Sequence, residues 1–167
     1  MRKELLLGCG SRTKKDLIFD NRSEFENVVR LDINPDHKPD VVWDLKDHPL
    51  PFTDNEFDEI HAYEVLEHLA YQGDFKFFFA EFSEYARILK PGGLFCASVP
   101  CGKWTWGDPS HRRVIQNESL IFLNQAEYGQ VGESNKSDFR NIYKADLRKV
   151  YAHKTEHKFY FILENRK

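Results

Sequence analysis

Short apolar runs alternate with longer amphipathic or polar stretches along the first hundred residues. Five of these runs have the length and composition of buried strands, at residues 5–7, 27–32, 40–43, 57–63 and 94–99. Apolar strands that alternate with helical patterns are typical of parallel strands joined by right-handed crossovers. The stretch at 11–26 is short and polar, so we expect the first crossover helix to be reduced or irregular.

The clearest helical pattern covers residues 72–89. Its apolar positions recur at three-and-four spacing and predict one buried stripe: Phe75, Phe78, Phe79, Phe82, Ala86 and Leu89. The sequence Lys90-Pro91-Gly92-Gly93 follows, where proline ends the helix and the glycines provide a turn. A second helix is expected to begin near Asn117, which is a suitable cap.

The end of the chain predicts two strands joined near residues 153–157, because Tyr, Phe, Ile and Val are enriched there. These strands would form an antiparallel closing pair. The predicted fold is therefore α/β, a doubly wound, mostly parallel seven-stranded sheet with an antiparallel C-terminal hairpin. No linker or repeat divides residues 1–167, so we expect a single domain.

The composition limits the possible partners. The 167 residues contain 24 Lys and Arg against 27 Asp and Glu, a net charge of −3, which argues against a nucleic-acid grip over the whole surface. Residues 136–167 are locally basic, with nine Lys and Arg against four Asp and Glu, so a nucleic-acid partner is possible but not favoured. No apolar run has the length of a membrane span, so no membrane partner is expected.

The N-terminus and the cysteines indicate a cytoplasmic protein. Residues 1–10 contain only three leucines before a glycine turn and lack the long apolar stretch of a secretory signal. Cys9, Cys96 and Cys101 are odd in number, and no Cys/His metal spacing occurs. We therefore predict free thiols in a reducing compartment and no metal site.

Candidate ligand-binding residues follow the predicted strands. Gly8 and Gly10 come directly after the first strand, where a sharp turn must let a ligand approach the backbone. Asp32 ends the next strand, 22 residues after Gly10, where a carboxylate can accept both ribose hydroxyls. Thr13 stands where a dinucleotide-binding G-x-G-x-x-G motif has its third glycine, which disfavours a nicotinamide-dependent oxidoreductase without removing that alternative.

Five strings in order resemble the class I S-adenosylmethionine-dependent methyltransferases: LLLGCGS, LDINP, VVWDL, FDEIHAYEVLEHL and RILKPGGLF. The resemblance implies S-adenosylmethionine as cofactor. In that family an acid at the position of Asp44 accepts from the adenine amino group, the residue at Leu45 packs on the ring, and Tyr63 lies near the methionine end. The implied cofactor-binding residues are Gly8, Cys9, Gly10, Asp32, Ile33, Asp44, Leu45 and Tyr63. Glu67 and His68 are assigned to the packing and hydrogen bonding of the next helix start.

The segment 100–114 leaves the fifth strand at the edge where substrates of this fold bind. Trp104 and Trp106 could stack on a planar substrate, and Arg112 and Arg113 could meet an anion. His111 is the candidate general base because its ordinary pKa lies near neutrality. The alternative is a closed loop in which His111 bonds its own backbone.

The predicted function is in-line transfer of a methyl group from S-adenosylmethionine to an unidentified acceptor, a small molecule or another substrate. A D/N-P-P-Y/F string, as in DNA amino-methylases, is absent from the fourth strand end. No helical stretch precedes the first strand, so acceptor recognition is expected from residues 101–136. A nicotinamide-dependent oxidoreductase and a non-catalytic S-adenosylmethionine-binding module remain alternatives, and the oligomeric state is open.

Overall fold

A computed structural model describes residues 2–18, 21–130, 133 and 135–167. They contain seven strands: β1 (Glu4–Leu7), β2 (Val28–Asp32), β3 (Val41–Val42), β4 (Phe57–Tyr63), β5 (Leu89–Pro100), β6 (Leu147–Lys154) and β7 (Lys158–Asn165). The strands form one sheet in the order β3-β2-β1-β4-β5-β7-β6. The first five strands are parallel, and β7 runs antiparallel to both β5 and β6. The predicted fold class is confirmed.

The predicted long helix is α1 (Phe75–Ile88). It begins three residues later than the pattern indicated because Asp74 caps it, accepting the N–H of Phe77 at 3.1 Å. Phe79 and Phe82 are buried against the sheet as expected. Phe75 lies at the margin of the predicted stripe instead, 47% exposed, with its ring 5.7 Å from that of Phe139.

The turn predicted at residues 90–93 lies within the bounds of β5. Phe57 of β4 pairs with Leu89, and Glu59 pairs with Leu94, so a single residue of β4 lies opposite four residues of β5. Gly92 has a φ of +74°, which favours glycine. The strand pairing therefore bulges at the predicted turn and then resumes in register.

The α-helix predicted near Asn117 is wrong. The chain forms two 3₁₀ helices there, Ser119–Leu123 and Gln125–Gln130. Asn124 between them is extended, and its side chain accepts the N–H of Ala126 at 3.1 Å. An Asn side chain that bonds the backbone in this way competes with helix propagation. Shorter 3₁₀ helices lie at Pro35–His37, Leu66–His68 and Gly102–Thr105.

The two faces of the sheet are covered differently. The larger core packs α1 and the 3₁₀ helix Ser119–Leu123 on one face. The other face carries a small cluster of Leu6, Cys9, Leu17, Tyr63, Cys96 and Ile162. Between β1 and β2, the described residues 8–18 and 21–27 contain no helix, as the sequence predicted. Across the described ranges, no helix is long and apolar enough to cross a membrane.

Lys15 connects this irregular segment to the sheet. Its side chain is only 3% exposed, and Nζ lies 2.7 Å from Glu4 Oε1 and 3.2 Å from Glu59 Oε2. The second oxygen of Glu4 accepts the N–H of Glu26 at 3.0 Å, and Arg22 lies 2.7 Å from Glu59. The carboxylates of two central strands are thereby paired with charges from the crossover.

His61 completes this buried network. It lies 3.3 Å from Glu59 and contacts the Tyr63 hydroxyl at 2.9 Å. Burial by itself raises the pKa of Glu59, but the hydrogen bond to His61 and the charge of Lys15 outweigh burial and lower that pKa to about 2. Glu59 is therefore a carboxylate in the folded protein near neutral pH.

Replacing Lys15 by Met should destabilise the fold by about 3–5 kcal/mol, because Glu4 and Glu59 would be left as buried, underpaired carboxylates. The free energy of unfolding in urea at neutral pH measures the change. Lys14→Met is the matched control, since Lys14 pairs with Glu24 at 3.3 Å on the exposed surface, where such pairs contribute little. Equal stability of the two variants would contradict the anchoring role of Lys15.

Candidate functional site

The carboxyl ends of β1, β2 and β4 meet where the strand order reverses, and a cleft of about 330 Å³ opens there. Open α/β sheets bind their ligands at this switch point. The lining includes five residues that the sequence predicted, Gly8, Asp32, Ile33, Asp44 and Leu45. It also includes Val65 and His68, which follow β4.

The Asp32 carboxylate is held by the backbone on both sides. Oδ2 accepts the N–H of Gly10 at 2.8 Å, and Oδ1 accepts the N–H of Asn34 at 2.9 Å. Asp32 is only 7% exposed, so its orientation is fixed. Each oxygen keeps a further lone pair that can accept a ligand hydroxyl.

Gly8 and Gly10 both have positive φ, +56° and +48°. A Cβ at Gly8 would lie 2.5 Å from Cγ2 of Val65, so the chains after β1 and β4 approach too closely for any other residue. A Cβ added at Gly10 would meet no other atom within 4 Å, so glycine is favoured at this position by its positive φ alone. Arg30 donates to the Gly10 carbonyl at 3.0 Å and helps to fix the turn.

Apolar and acidic groups share the far end of the cleft. Ile33 is 61% exposed in the lining, whereas Leu45 is buried. Asp44 accepts the N–H of Lys46 at 2.9 Å and lies 3.2 Å from the Lys46 ammonium. An exposed isoleucine beside a carboxylate acceptor suits a planar base with an exocyclic amine.

Two predicted cofactor-binding side chains face the other side of the sheet. Cys9 and Tyr63 belong to the small core cluster, 1% and 3% exposed, and neither lines the cleft. Cys9 follows β1 and Tyr63 ends β4, and both side chains pack in this cluster. The expected place of Tyr63 near the methionine end of the cofactor stays a prediction, in which its backbone and not its side chain would face the cleft.

Glu67, His68 and His111 come together beside the cleft. Nε2 of His68 and Nε2 of His111 lie 3.8 and 3.9 Å from Oε1 of Glu67. Nδ1 of His111 contacts the Thr105 carbonyl at 3.0 Å, and Nδ1 of His68 contacts the Ser110 hydroxyl at 3.1 Å. Burial, together with the charge of Glu64, raises the pKa of Glu67 to about 8. We call these three residues the Glu-His-His cluster.

The sequence identified His111, placed Glu67 and His68 at the next helix start, and kept a catalytic role for His68 as the less favoured alternative. Both residues lie in the 3₁₀ helix Leu66–His68, and His68 also lines the cleft. An acid–histidine pair directly after a strand at the ligand edge was the available signal. The fold brings His111 to this pair from more than forty residues away along the chain.

Arg113 is an anchor for the loop and not an anion site, contrary to the prediction. One guanidinium nitrogen, Nη2, donates to both carboxylate oxygens of Glu81 of α1 at 2.9 and 2.7 Å, and Nε donates to the Leu66 carbonyl at 2.7 Å. Arg113 is 4% exposed, so its charge is held inside the protein against Glu81. Arg112 lies over the ring of Tyr71 at 4.1 Å.

A second cavity, of about 610 Å³, lies between the segment after β5 and the hairpin β6–β7. Its lining includes Thr105, Ile115, Ala152 and Phe159. Trp104 and Trp106, expected to stack on a substrate, are 50% and 59% exposed in the same segment but are not in this lining. Of the predicted recognition region 101–136, residues 131, 132 and 134 lie outside the described residues.

The comparisons agree on one family. A family model described as a methyltransferase domain matches residues 5–97. Over 69 residues the chain is 33% identical to a sterol 24-C-methyltransferase of Pneumocystis carinii; the match covers 40% of this chain and only 16% of that relative. The chain thus spans a small part of the length of this curated relative.

Solved structures share the fold over almost the whole chain. One is a SAM-dependent methyltransferase from Archaeoglobus fulgidus, with a TM-score of 0.59, 15% identity, and coverage of 98% of this chain and 86% of that one. Another is the N-methyltransferase NodS from Bradyrhizobium japonicum with S-adenosylhomocysteine, with a TM-score of 0.56, 15% identity, and coverage of 99% and 79%. At these identities the likeness shows a common fold.

Tyr63→Phe should leave S-adenosylmethionine affinity unchanged, because the Tyr63 hydroxyl contacts His61 at 2.9 Å on the face away from the cleft. Loss of that hydrogen bond should lower the free energy of unfolding by about 0.5–1.5 kcal/mol. Calorimetric titration with the cofactor and urea unfolding measure the two effects. A large loss of affinity without a loss of stability would restore the predicted contact of Tyr63 with the cofactor.

Proposed function

This chain belongs to the methyltransferase domain family, and we propose that it transfers a methyl group from S-adenosylmethionine to a small-molecule acceptor by in-line displacement. The observation that carries the proposal is the cleft at the switch point, with Asp32 fixed in its wall by two backbone N–H groups. In the transfer, the bond between sulfonium and methyl breaks as the bond from acceptor to methyl forms. S-adenosylhomocysteine leaves as a neutral thioether.

The cofactor residues are proposed from their places in the cleft. Asp32 accepts the ribose hydroxyls with its remaining lone pairs, and Asp44 accepts from the adenine amino group. Ile33 and Leu45 pack on the adenine ring. The backbone at Gly8, Cys9 and Gly10 accommodates the methionine end, because no Cβ at the two glycines obstructs its approach.

The Glu-His-His cluster borders the cofactor cleft and is linked to the second cavity through Thr105. His68 lines the cofactor cleft, whereas Thr105, whose carbonyl contacts His111, lines the 610 Å³ cavity. An acceptor in that cavity would approach the methyl donor past this cluster. The volume is within the range of about 300–1,000 Å³ that is usual for small-molecule sites. Well-oriented reactants can gain roughly 7–11 kcal/mol from alignment alone.

The role that we propose for His111 follows from its hydrogen bond to the Thr105 carbonyl. Because Nδ1 faces the Thr105 carbonyl, Nδ1 carries the proton, and only Nε2 has a lone pair. That lone pair faces Glu67. His111 therefore acts on the acceptor as a member of the cluster. An oxidoreductase is set aside by the family match, and a non-catalytic module is an outcome of the experiments below.

Asp32→Ala should weaken S-adenosylmethionine binding by about 1.5–3 kcal/mol, the range for hydrogen bonds to a charged group. That is a loss of roughly tenfold or more in affinity. Calorimetric titration measures it, with far-UV circular dichroism to establish folding. Asp36→Ala is the control, since Asp36 lies in the exposed 3₁₀ helix just beyond the cleft. Wild-type affinity in a folded Asp32→Ala protein would remove the ribose role.

Ala152→Trp should fill the second cavity and abolish or slow turnover of a small-molecule acceptor while cofactor affinity stays unchanged. The acceptor is first sought by assaying S-adenosylhomocysteine release against panels of metabolites and nucleic acids. Ala126→Trp, in a separate cavity, is the control. Turnover with nucleic acid alone, or no turnover with any acceptor despite cofactor binding, would contradict a small-molecule methyltransferase.

A further inference from the structure

Two groups of acidic and histidine side chains have the spacing of a cation site in the described part of the chain. One is Glu4, Glu59 and His61; the other is the Glu-His-His cluster, whose three potential ligand atoms lie within 4.8 Å of one another. We propose that Glu67, His68 and His111 bind a divalent transition-metal cation between the cofactor cleft and the acceptor cavity. The sequence predicted no metal site because it contains no Cys/His metal spacing, whereas this group combines imidazole and carboxylate ligands that come from two distant parts of the chain.

The first support is the direction of the imidazole lone pairs. Nδ1 of His111 donates to the Thr105 carbonyl, and Nδ1 of His68 to the Ser110 hydroxyl or carbonyl, at 3.1 and 3.4 Å. Each Nε2 is then left unprotonated, and both point towards Glu67. A ligating histidine almost always donates its other ring N–H to an oxygen in this way.

The second support is the Glu67 carboxylate. Glu67 is 1% exposed, and within the described ranges neither of its oxygens has a hydrogen-bond partner. A buried carboxyl group that faces two imidazole lone pairs can ionise at low cost only when a cation binds between them. The Arg113 guanidinium donates to Glu81 and to the Leu66 carbonyl and makes no hydrogen bond to the Glu67 carboxyl group.

In the group of Glu4, Glu59 and His61, a lysine of the protein neutralises the buried carboxylates, so no metal is needed there. There the Lys15 ammonium lies 2.7 Å from Glu4 and 3.2 Å from Glu59, in the place that a cation would take. No Lys or Arg ion pair with Glu67 occurs among the described residues; its two ion-pair partners are His68 and His111. The two groups therefore differ in one respect: Glu59 has an ion pair with a lysine, and Glu67 has no such pair among the described residues.

The geometry fits a small cation. Ligand atoms about 2.0–2.2 Å from one metal ion can be up to about 4.4 Å apart. The observed separations of 3.8 and 3.9 Å fall within that limit. Two imidazole nitrogens and one carboxylate suit Zn²⁺, Fe²⁺, Co²⁺ or Mn²⁺ and leave positions open for a further ligand.

A cation here would give the acceptor site a specific chemistry. It lowers the pKa of a coordinated hydroxyl, so the acceptor would be an alcohol or phenol that loses its proton to solvent before attack. His111 would then be a ligand and not the base. This step rests on the proposed methyl transfer, whereas cation binding itself does not, and the two are tested separately.

The test is a titration of the full chain, freed of metals with a chelator, with Co²⁺ by visible absorption and with Zn²⁺ by calorimetry. We expect one equivalent bound, and an unfolding temperature that rises with cation concentration. Glu67→Gln and His111→Gln should lower the affinity by more than the roughly 10–100-fold that loss of an outer-sphere partner costs. Cofactor affinity, measured with chelator present, should stay unchanged in both variants.

The matched control is His157→Gln, because Glu156 and His157 form a pair with the same 3.8 Å separation on the exposed surface. This variant should bind the cation as the wild type does. With chelator present, Glu67→Gln should be at least as stable as the wild type, since an uncharged amide of the same shape replaces a buried carboxyl group that has no hydrogen-bond partner. Three results would overturn the proposal: no cation binding by the wild type, a cation affinity in Glu67→Gln equal to that of the wild type, or loss of cation binding in His157→Gln. Failure of methyl transfer alone would not overturn it.

Discussion

A buried lysine in place of a crossover helix is the constraint on which the cofactor cleft depends. Lys15 pairs with carboxylates on β1 and β4 and so attaches the segment that follows Gly10 to the sheet. Gly10 at the start of this segment donates to Asp32, so the anchor also supports the wall of the cleft. Buried ion pairs contribute little net stability, but removing one partner is costly, so such a pair fixes position more than it stabilises.

A second buried ion pair, between Arg113 and Glu81, fixes the position of the segment after β5. Arg113 joins the segment after β5 to Glu81 of α1 and to the Leu66 carbonyl, next to Glu67 and His68. The backbone N–H groups of Arg112 and Arg113 also donate to the Glu67 carbonyl, at 2.9 and 3.3 Å. These contacts bring His111 to Glu67 and His68 in a segment with little regular structure.

The charge balance differs between the two buried groups. Around Glu4 and Glu59 every carboxylate has a cationic partner from the protein, and the pKa of Glu59 is low. Around Glu67 the described residues provide two imidazole nitrogens and no Lys or Arg ion pair, and burial outweighs the more distant charges of Arg113 and Lys158, so the pKa of Glu67 is high. The first group is complete as a structural anchor. The second borders the cleft through His68 and lacks such a partner among the described residues.

The sequence by itself determined the strands, α1, the mostly parallel seven-stranded sheet with its antiparallel hairpin, the glycines after β1, and the cleft residues Asp32 and Asp44. These features depend on local periodicity and on residues directly after strands, which a linear pattern records. It did not determine that the side chains of Cys9 and Tyr63 turn away from the cleft, that Arg113 is buried, or that residues 119–123 and 125–130 form 3₁₀ helices. Those outcomes, and the meeting of His111 with Glu67 and His68, were decided by tertiary structure, because long-range ion pairs and packing on one or the other face of the sheet have no local signature.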